Sequence, residues 1–249
     1  MKVSLITATY NSRKSLPTAL ESITGQTYKH IEWIVVDGQS TDGTVDYIKS
    51  HQQHIHRWIS ERDKGIYDAL NKGIAMATGD VIGLLHSDDV LYSKHTIEHI
   101  VNQFVSSGAD GVYGDLEYVS KTNTANLIRY WKSKVFTPSL LLKGWMPPHP
   151  TLFLRRDVYK TFGCFDLSFD IAADYDFILR IFGQDQLKFE YLPEVITKMR
   201  VGGASNKSFN NIRQKSLEDF RALKKNKIPY ANSVLLKKNL SKISQFFRR

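Results

Sequence analysis

The chain has 249 residues, of which 42% are hydrophobic and 24% are charged, and this is the composition of an ordinary globular protein. Its length fits one large α/β domain, with or without a small appendage. A single cysteine, Cys164, excludes an internal disulfide and a cysteine-cluster metal site. No apolar run reaches the roughly 18 residues of a membrane-spanning helix. The N-terminus, MKVSLITATYN, is too short and too polar for a signal peptide. We therefore expect a cytoplasmic protein.

The net charge of +9 is concentrated near the C-terminus. Residues 207–249 carry 12 Lys or Arg and 2 Asp or Glu, whereas residues 1–206 carry 22 and 23. The body of the protein is thus nearly neutral and its tail is basic. A basic tail suggests an anionic partner, either a membrane surface or a nucleic acid.

Strands and helices are predicted to alternate from the first residues onward. Short β-branched or apolar runs indicate strands, and apolar residues at helical spacing indicate helices. The predicted strands cover residues 3–9, 31–36, 58–60, 81–85 and 111–114. The predicted helices cover residues 13–25, a stretch that starts near Thr44, 66–77 and 95–105. This order predicts an α/β fold with a doubly wound, mostly parallel sheet flanked by helices.

Polar side chains follow three of these strands where each strand ends. They lie in the segment from Thr7 to Asn11, at Asp37, and at the pair Asp88 and Asp89. The ligand crevice of an open α/β sheet lies outside the carboxyl ends of its strands. We therefore expect these acids and amides to lie along one edge of the sheet and to face a ligand.

The adjacent carboxylates of Asp88 and Asp89 repel each other unless a cation or hydrogen-bond donors compensate them. Taken alone, the pair has two interpretations of equal weight, a cap for the following helix and a metal site.

After Asp115 the alternation changes. We predict a hairpin at 116–119 and 126–130, a loop at 132–150, a strand at 151–155, helices at 156–162 and 172–182, and a strand at 195–201 that runs into the loop 202–205. Asp174 lies in the first turn of the helix at 172–182, where an acid also suits the helix dipole.

Two helices are predicted in the basic tail, at 208–227 and 233–247. The second places apolar residues on one face with basic residues beside them, as in a helix that lies on a membrane surface. The apolar residues are Leu235, Leu236, Leu240, Ile243, Phe246 and Phe247, and the basic ones are Lys237, Lys238, Lys242, Arg248 and Arg249. Packing against its own domain is an equal alternative, and the terminal Phe-Phe-Arg-Arg favours membrane contact slightly.

The motifs exclude several enzyme classes. The sequence has no GxGxxG or GxxxxGK[ST] motif, which argues against a dinucleotide oxidoreductase and a P-loop kinase. It has no GxSxG motif of a hydrolase. Asp37 could accept a hydrogen bond from a nucleotide base or ribose, Asp88 and Asp89 could hold a divalent cation, and Asp174 could act as a general base. Together these roles describe group transfer by direct displacement.

The same stretches resemble the family 2 glycosyltransferases, which have the A-type (GT-A) fold. In residues 1–118 the resemblance lies in SLITATYN, IEWIVVDGQSTDGT, DKGIYDALNKGIAMATGD and LLHSDD, and this part resembles the nucleotide-sugar-binding half. Residues 119–206 resemble the acceptor-binding half through MPPHPTLFLRRDVYKTFGCFD, AADYDFILRI and RVGGAS. Residues 207–249 form a helical extension beyond the resemblance. The resemblance implies inverting transfer of one sugar from a nucleotide-sugar to an acceptor hydroxyl, assisted by Mn²⁺ or Mg²⁺.

The resemblance also implies roles for individual residues. On the donor side, Thr7, Tyr10 and Asn11 would line the nucleotide pocket, Asp37 would bind the base, and Asp63 and Asn71 would lie nearby. Asp88 would lie near the ribose, and Asp89 with Asp88 would hold the metal. Asp174 would be the catalytic base, and His149 and Arg200 would face the diphosphate or the acceptor.

The sequence departs from the family pattern at three points. The metal motif is Ser87-Asp88-Asp89 rather than Asp-x-Asp, so either acid is a candidate ligand. Ala173 stands where many members carry Glu. The Arg/Gln-x-x-Arg-Trp motif and a membrane span are both missing, which favours a non-processive enzyme.

Two other functions are alternatives to a glycosyltransferase. A sugar nucleotidyltransferase would need a glycine-rich loop after the first strand, and TATYNSRKS lacks those glycines. A nucleic-acid-binding or scaffold protein would need aromatic residues within a basic surface of the body, which the sequence does not show. We therefore expect no nucleic acid partner.

Asp37 suits the imide N–H of uracil and weakly favours UDP or dTDP. The basic segment 233–249 suggests an anionic membrane surface at the inner face and a lipid-linked or surface-polysaccharide precursor as acceptor. The oligomeric state is not predicted.

Overall fold

The structure, a computed structural model, describes residues 1–202 and 209–244. Within these residues nine strands form one sheet, with helices on both of its faces. The strands are β1 Val3–Thr9, β2 Ile31–Asp37, β3 Arg57–Ser60, β4 Val81–Leu84, β5 Val90–Leu91, β6 Gly111–Val119, β7 Leu127–Trp131, β8 Phe153–Arg155 and β9 Phe189–Arg200. The helices are α1 Leu16–Thr24, α2 Thr44–Ser50, α3 Ile66–Met76, α4 Thr96–Ser107, α5 Arg156–Phe162, α6 Ala173–Phe182, α7 Phe209–Lys225 and α8 Ala231–Ser244. Short 3-10 segments cover Pro138–Lys143 and His149–Thr151.

The sheet is parallel where the predicted α/β alternation lies. Its order is β3-β2-β1-β4-β8-β6-β9-β5, and β7 pairs with β6 outside this path. Strands β3, β2, β1 and β4 run parallel, as do β6 and β9. Strand β8 is antiparallel to β4 and β6, β7 to β6, and β5 to β9. The carboxyl ends of β1, β2 and β4 therefore meet at one edge, as the sequence predicts.

Helices cover both faces of the sheet because its central strands are apolar on both sides. All seven residues of β1 are buried. One core cluster lies between the sheet and α3, α5 and α6, and the other lies between the sheet and α1 and α4. Such continuous apolar strands are typical of parallel sheets with helices on each side.

Several predicted elements differ in extent from the observed ones. The strand predicted at 111–114 and the first strand of the predicted hairpin are one strand, β6. The strand predicted at 195–201 begins earlier, at Phe189, because Pro193 and Glu194 interrupt an apolar pattern that continues on both sides of them. Strand β5 has two residues and was not predicted.

The predicted boundary between the two halves of the domain falls inside β6. Strands β6 and β9 pair along most of their length, so one sheet runs through residues 1–118 and 119–206. The subdivision into a nucleotide half and an acceptor half stays a prediction about binding.

The C-terminal helices pack on the body of the protein. Among the described side chains of α8, which end at Leu240, Ala231, Val234 and Lys238 are buried, and the apolar Leu236 and Leu240 are exposed. The prediction that Lys238 belongs to an exposed basic flank is therefore wrong. The spacing of three and four residues puts Lys238 on the packed face, where its ammonium pairs with Asp219 of α7 at 2.8 Å.

The remainder of the predicted amphipathic face lies where side chains are not described. Phe246, Phe247, Arg248 and Arg249 fall outside the described residues, as does most of the loop predicted at 202–205. In the part of the chain that the structure describes, no helix is both long and apolar enough to cross a membrane.

Candidate active site

The acid pair lies just beyond the carboxyl end of β4. Asp89 is 1% exposed, and its Oδ1 accepts a hydrogen bond from the backbone N–H of Arg200 at 3.2 Å. Its Oδ2 is buried and has no hydrogen-bond partner among the described residues. Burial, together with the charge of Asp88, raises the pKa of Asp89 well above its usual value although Arg200 opposes both effects. A buried carboxylate oxygen without a donor is suited to a cation.

Arg200 fastens the acid pair to two other elements. From the end of β9 its guanidinium donates to the backbone carbonyl of Asp88 and, at 3.0 Å, to Oγ1 of Thr18 on α1. The structure thus places Arg200 beside the predicted metal ligands, where it holds their loop in position.

Asp174 lies in the first turn of α6, as predicted, and its side chain is partly buried. Its Oδ1 accepts hydrogen bonds from the hydroxyl of Tyr67 at 3.2 Å and from the backbone N–H of Tyr175 at 2.8 Å. Burial alone would raise the pKa of Asp174. The charges of His149, Lys215 and Lys238 and the hydrogen bond from the Tyr175 amide lower it by more than burial raises it, so the pKa lies below its usual value. The carboxylate is therefore ionised at neutral pH, which is the state of a general base.

Two histidines, the buried His149 and the partly buried His86, lie within electrostatic reach of Asp174. Burial lowers the pKa of His149 to about 4, although the charge of Asp174 acts in the opposite direction. Burial also lowers the pKa of His86, against the charges of Asp88 and Asp174, and its Nδ1 has no partner among the described residues. Both imidazoles are neutral at pH 7, so each can donate and accept a hydrogen bond.

An aromatic group on the β6–β7 hairpin lies near both predicted catalytic centres. The ring of Tyr118 is stacked on Trp131, with 6.4 Å between centroids, and the guanidinium of Arg129 lies 3.9 Å from the Tyr118 centroid. Burial raises the pKa of Tyr118, Arg129 opposes this effect, and the charges of Asp89 and Asp174 add to it. This hairpin therefore borders the space between the acid pair and Asp174.

Asp37 ends β2 and is fully buried. Its Oδ2 accepts hydrogen bonds from the backbone N–H of Ser40 at 2.9 Å and from the hydroxyl of Ser60 at 2.7 Å. Its Oδ1 accepts from the hydroxyl of Ser40 at 2.5 Å. The carboxylate fixes the loop that follows β2, and its predicted contact with a nucleotide base stays a prediction.

Tyr10, Asn11 and Asp63 surround that loop. Tyr10 is 67% exposed. A Cβ atom on Gly38 would lie 3.4 Å from the Tyr10 ring and 3.2 Å from Oδ2 of Asp63, so these two side chains flank the loop. Asn11 has a positive φ of 49° and accepts the backbone N–H of Thr41 at 2.9 Å. The exposed Tyr10 ring at this strand edge is the member of the predicted pocket most open to a ligand.

Two other predicted nucleotide-side residues are occupied by contacts within the protein. Thr7 is buried, and its hydroxyl accepts a hydrogen bond from the indole N–H of Trp33 at 2.9 Å. The amide of Asn71 pairs with the backbone of Phe165, donating at 2.8 Å and accepting at 2.9 Å. The structure thus gives Thr7 a place in the core and Asn71 a place in a link between α3 and the segment before α6.

Asp88 and Asp89 are the residues that could hold a metal ion. No group of three His, Cys, Asp or Glu side chains suited to a metal occurs among residues 1–202 and 209–244. Mg²⁺ commonly binds proteins through one or two carboxylates and takes its other ligands from substrate phosphates and water. The unpartnered Oδ2 of Asp89 fits that kind of site, and the protein alone would not complete it.

Sequence reasoning missed Tyr67, His86 and Tyr118. His86 stands two residues before Asp88, and that position at the end of a buried strand was a usable signal. Tyr67 and Tyr118 come from α3 and β6, and nothing in their local sequence indicates which distant carboxylates they approach.

Comparison with known proteins identifies the class to which this fold and site belong. The sequence profile described as Glycosyl transferase family 2 matches residues 4–165. A "PGL/p-HBAD biosynthesis glycosyltransferase" of Mycobacterium bovis is 34% identical over 209 residues, which are 82% of this chain and 78% of the relative. An uncharacterised glycosyltransferase of Nostoc sp. is 31% identical over 217 residues, covering 83% of this chain and 66% of that relative. The chain belongs to glycosyl transferase family 2.

Solved structures agree on the fold. The S. aureus TarS 1–349 structure in complex with UDP-GlcNAc gives a TM-score of 0.72 at 17% identity, over 98% of this chain and 73% of that one. The mannosyltransferase PcManGT of Pyrobaculum calidifontis, in complex with GDP-Man and Mn²⁺, gives 0.67 at 17% identity with the same coverage. This chain covers 40% of the length of a longer TarS structure. The fold is of the GT-A type, and the protein is a glycosyltransferase, which decides against the nucleotidyltransferase and scaffold alternatives.

Proposed function

We propose that the protein transfers one sugar from a nucleotide-diphosphate sugar to an acceptor hydroxyl with inversion, and that Asp174 is the general base. The observation that carries this proposal is the partly buried Asp174 carboxylate, whose pKa is lowered so that it is ionised at neutral pH, and which acts together with Asp89 of the acid pair on Tyr118. A base on the side of the acceptor, opposite the leaving nucleotide, supports a single displacement and hence inversion.

In this mechanism Asp174 accepts the proton of the acceptor hydroxyl as its oxygen attacks the anomeric carbon. The bond between that carbon and the diphosphate oxygen breaks, and the nucleoside diphosphate leaves. Tyr67 orients the Asp174 carboxylate with a hydroxyl whose one proton is shared between Oδ1 of Asp174, at 3.2 Å, and the carbonyl oxygen of Ile171, at 2.8 Å. Asp89, with Asp88, would hold Mn²⁺ or Mg²⁺, and the bound ion would neutralise charge on the diphosphate.

The donor is proposed to be a nucleoside diphosphate sugar, because TarS and PcManGT form complexes with UDP-GlcNAc and GDP-Man. The argument for UDP or dTDP depends on Asp37. Because its oxygens already accept three hydrogen bonds, a uracil imide would have to share the carboxylate with Ser40. A thermal-shift comparison of UDP, GDP and dTDP, each with and without Mn²⁺, identifies the nucleotide through the stabilisation that binding produces.

The base is tested by Asp174→Asn. We expect transfer to be abolished while donor affinity, measured by calorimetry, stays within about twofold of wild type. Asp157→Asn is the matched control, since Asp157 is an exposed acid on α5 and its side chain is 81% accessible. Transfer that survives in Asp174→Asn would show that another group takes the proton.

The C-terminal extension is proposed to contact an anionic membrane, with a lipid-linked glycan as acceptor. Leu236 and Leu240 are 61% and 55% exposed on α8, and Lys237 is exposed beside them. A basic residue near an anionic surface contributes about 1 kcal/mol. Within the described residues, the proposed membrane contact therefore depends on Leu236 and Leu240 and not on the whole apolar face predicted from the sequence.

Vesicle binding tests the membrane contact without disturbing the packed face of α8. We expect Leu236→Ser with Leu240→Ser to weaken sedimentation with vesicles rich in phosphatidylserine, and neutral vesicles to bind poorly throughout. Val105→Ser is the control, because Val105 is 70% exposed on α4. Deleting residues 233–249 would be a poorer test, since it also removes the buried Val234 and Lys238. Equal binding by the double variant and wild type would refute the contact.

A further inference from the structure

The segment that leads into Asp174 is held by a carboxylate of the C-terminal extension. Helix α6 has no side-chain cap of its own at Ala172. Instead, Oε2 of Glu218 accepts the backbone N–H groups of Ile171 at 2.8 Å and Ala172 at 2.9 Å. Glu218 is 7% exposed and belongs to α7. It therefore fixes the backbone two and three residues before Asp174.

Asp219, the next residue of α7, connects α8 to the first turn of α6. Asp219 is 1% exposed and pairs with Lys238 at 2.8 Å and with Lys215 at 3.4 Å. The ammonium of Lys238 lies 3.0 Å from the ring centroid of Tyr175, the residue that follows Asp174. Lys238, Asp219 and the partly buried Lys215 thus form a charged group beside the first turn of α6, and together with Glu218 the two lysines and two carboxylates balance in formal charge.

Lys238 can reach this position because α8 lies very close to the segment Pro138–Lys143. Gly144 follows that segment with a φ of 70°, and a Cβ atom there would lie 2.5 Å from the Lys238 Cβ and 2.8 Å from the carbonyl oxygen of Val234. The close packing of α8 against Gly144 therefore determines the position of Lys238.

The charged and titratable groups that face Asp174 come from every element around it. They are Tyr67 from α3, His86 after β4, Tyr118 from β6, His149 from the loop before β8, Lys215 and the opposing Glu218 from α7, and Lys238 from α8. Both histidines are neutral at pH 7, so the two lysines are the cations of this set there, and His149 joins them as a cation below about pH 4. Both lysines belong to the C-terminal extension.

We propose that Glu218, Lys215 and Lys238 are positioning residues of the transfer site: Glu218 fixes the backbone that carries Asp174, and the two lysines stabilise its carboxylate as an anion. This inference rests on the proposed role of Asp174 as the base. It makes the basic C-terminal extension a part of the active site in addition to any surface contact it makes.

The charge effect can be measured on the full chain without a donor or an acceptor. The ¹³C carboxyl resonance of Asp174, assigned by its loss in Asp174→Asn, is titrated with pH in wild type, Lys215→Met and Lys238→Met. We expect the midpoint to rise by about one pH unit in each variant, which is a tenfold change in the ratio of protonated to ionised carboxyl. Lys238→Arg should keep the wild-type midpoint. Lys224→Met is the charge-matched control, since Lys224 is exposed on α7.

The Lys215 variant keeps the test decisive if Lys238→Met does not fold, because Asp219 then retains Lys238. A midpoint in Lys215→Met equal to that of wild type and Lys224→Met would overturn the charge effect. An inactive Asp174→Asn with unmoved midpoints would refute this inference alone, whereas an active Asp174→Asn would refute the proposed base.

The positioning effect is measured with UDP-GlcNAc or GDP-mannose, whichever supports release of the nucleoside diphosphate in the presence of Mn²⁺. Glu218→Gln keeps the size of the side chain but replaces one acceptor oxygen by a donor. We expect kcat to fall about tenfold with little change in the donor KM, because the base is displaced and the donor site is not. A wild-type kcat, or a loss confined to the donor KM, would overturn this part of the proposal.

Discussion

The hydroxyl of Tyr67 lies 2.8 Å from the carbonyl oxygen of Ile171 and 3.2 Å from Oδ1 of Asp174. It links α3, in the predicted nucleotide half, to the first turn of α6 in the predicted acceptor half. Burial raises the pKa of Tyr67 well above its usual value, and the charge of Asp174 raises it further. The phenol therefore remains a hydrogen-bond donor across the physiological pH range.

Replacing Tyr67 by Phe should lower kcat about tenfold with the donor KM unchanged, which corresponds to the loss of one hydrogen bond to a charged group. The expected cause is a carboxylate that turns away from the acceptor hydroxyl. Steady-state kinetics on both substrates measures the effect, and Tyr230→Phe is the control because Tyr230 is 81% exposed. An unchanged kcat would show that the Tyr67 hydroxyl does not orient Asp174.

The strands and the acid pair were predictable from sequence because both depend on local pattern. The β-branched run of β1 and the apolar run before Asp88 indicate buried strands, and parallel strands bring their carboxyl ends to one edge. The burial of Lys238 was not predictable in this way. A lysine at helical spacing from Ala231 and Val234 reads as a break in the apolar face, and only the distant Asp219 and Tyr175 make its burial favourable.

Sequence pattern also does not show which partners the side chains of Thr7 and Asn71 contact. Thr7 and Asn71 lie in the elements expected for a nucleotide site, but Trp33 and the Phe165 backbone already bind their polar atoms. Sequence pattern places the backbone correctly here and leaves the direction of the side chain open.

Replacing Asn71 by Ala distinguishes the two roles of this residue. The structure predicts a loss of stability of about 1–3 kcal/mol, since two backbone groups of Phe165 lose their partner, with little direct effect on donor affinity. Urea unfolding and donor calorimetry measure the two quantities. Asn71→Asp should fall between, because it keeps the acceptor for the Phe165 N–H. A large loss of donor affinity at unchanged stability would instead support the nucleotide-side role.

Glu32 predicts an acid-dependent loss of stability. It is 2% exposed on β2, and its carboxylate accepts hydrogen bonds from Ser4 at 2.6 Å, the Thr78 N–H at 2.8 Å and Lys2 at 2.9 Å. Burial raises the pKa of Glu32, but these donors more than offset it and the pKa falls from 4.5 to about 2. The folded state therefore binds fewer protons than the unfolded state, so this stabilisation is present above about pH 4.5 and is lost as the pH falls towards 2.

Glu32→Gln should lower the free energy of unfolding by about 2 kcal/mol at pH 7, and the difference from wild type should shrink by pH 3. Urea unfolding at pH 7, 5 and 3 measures this. Glu21→Gln, an exposed acid on α1, should follow wild type at every pH. A constant difference between Glu32→Gln and wild type would mean that the hydrogen bonds matter and the charge does not.

The close contact between Gly83 and Phe153 gives the last prediction. A Cβ atom on Gly83 would lie 2.1 Å from Cε1 of Phe153, which is 1% exposed on β8. Because the ring is enclosed, Gly83→Ala should destabilise the protein by about 1–3 kcal/mol through overpacking. Gly83→Ala combined with Phe153→Leu should recover part of that loss relative to the sum of the single variants, as unfolding measured over the double-mutant cycle would show. Additive losses would mean that the strand moves instead of the ring. Since β4 leads directly to the acid pair, such a movement would also lower donor affinity in the single variant.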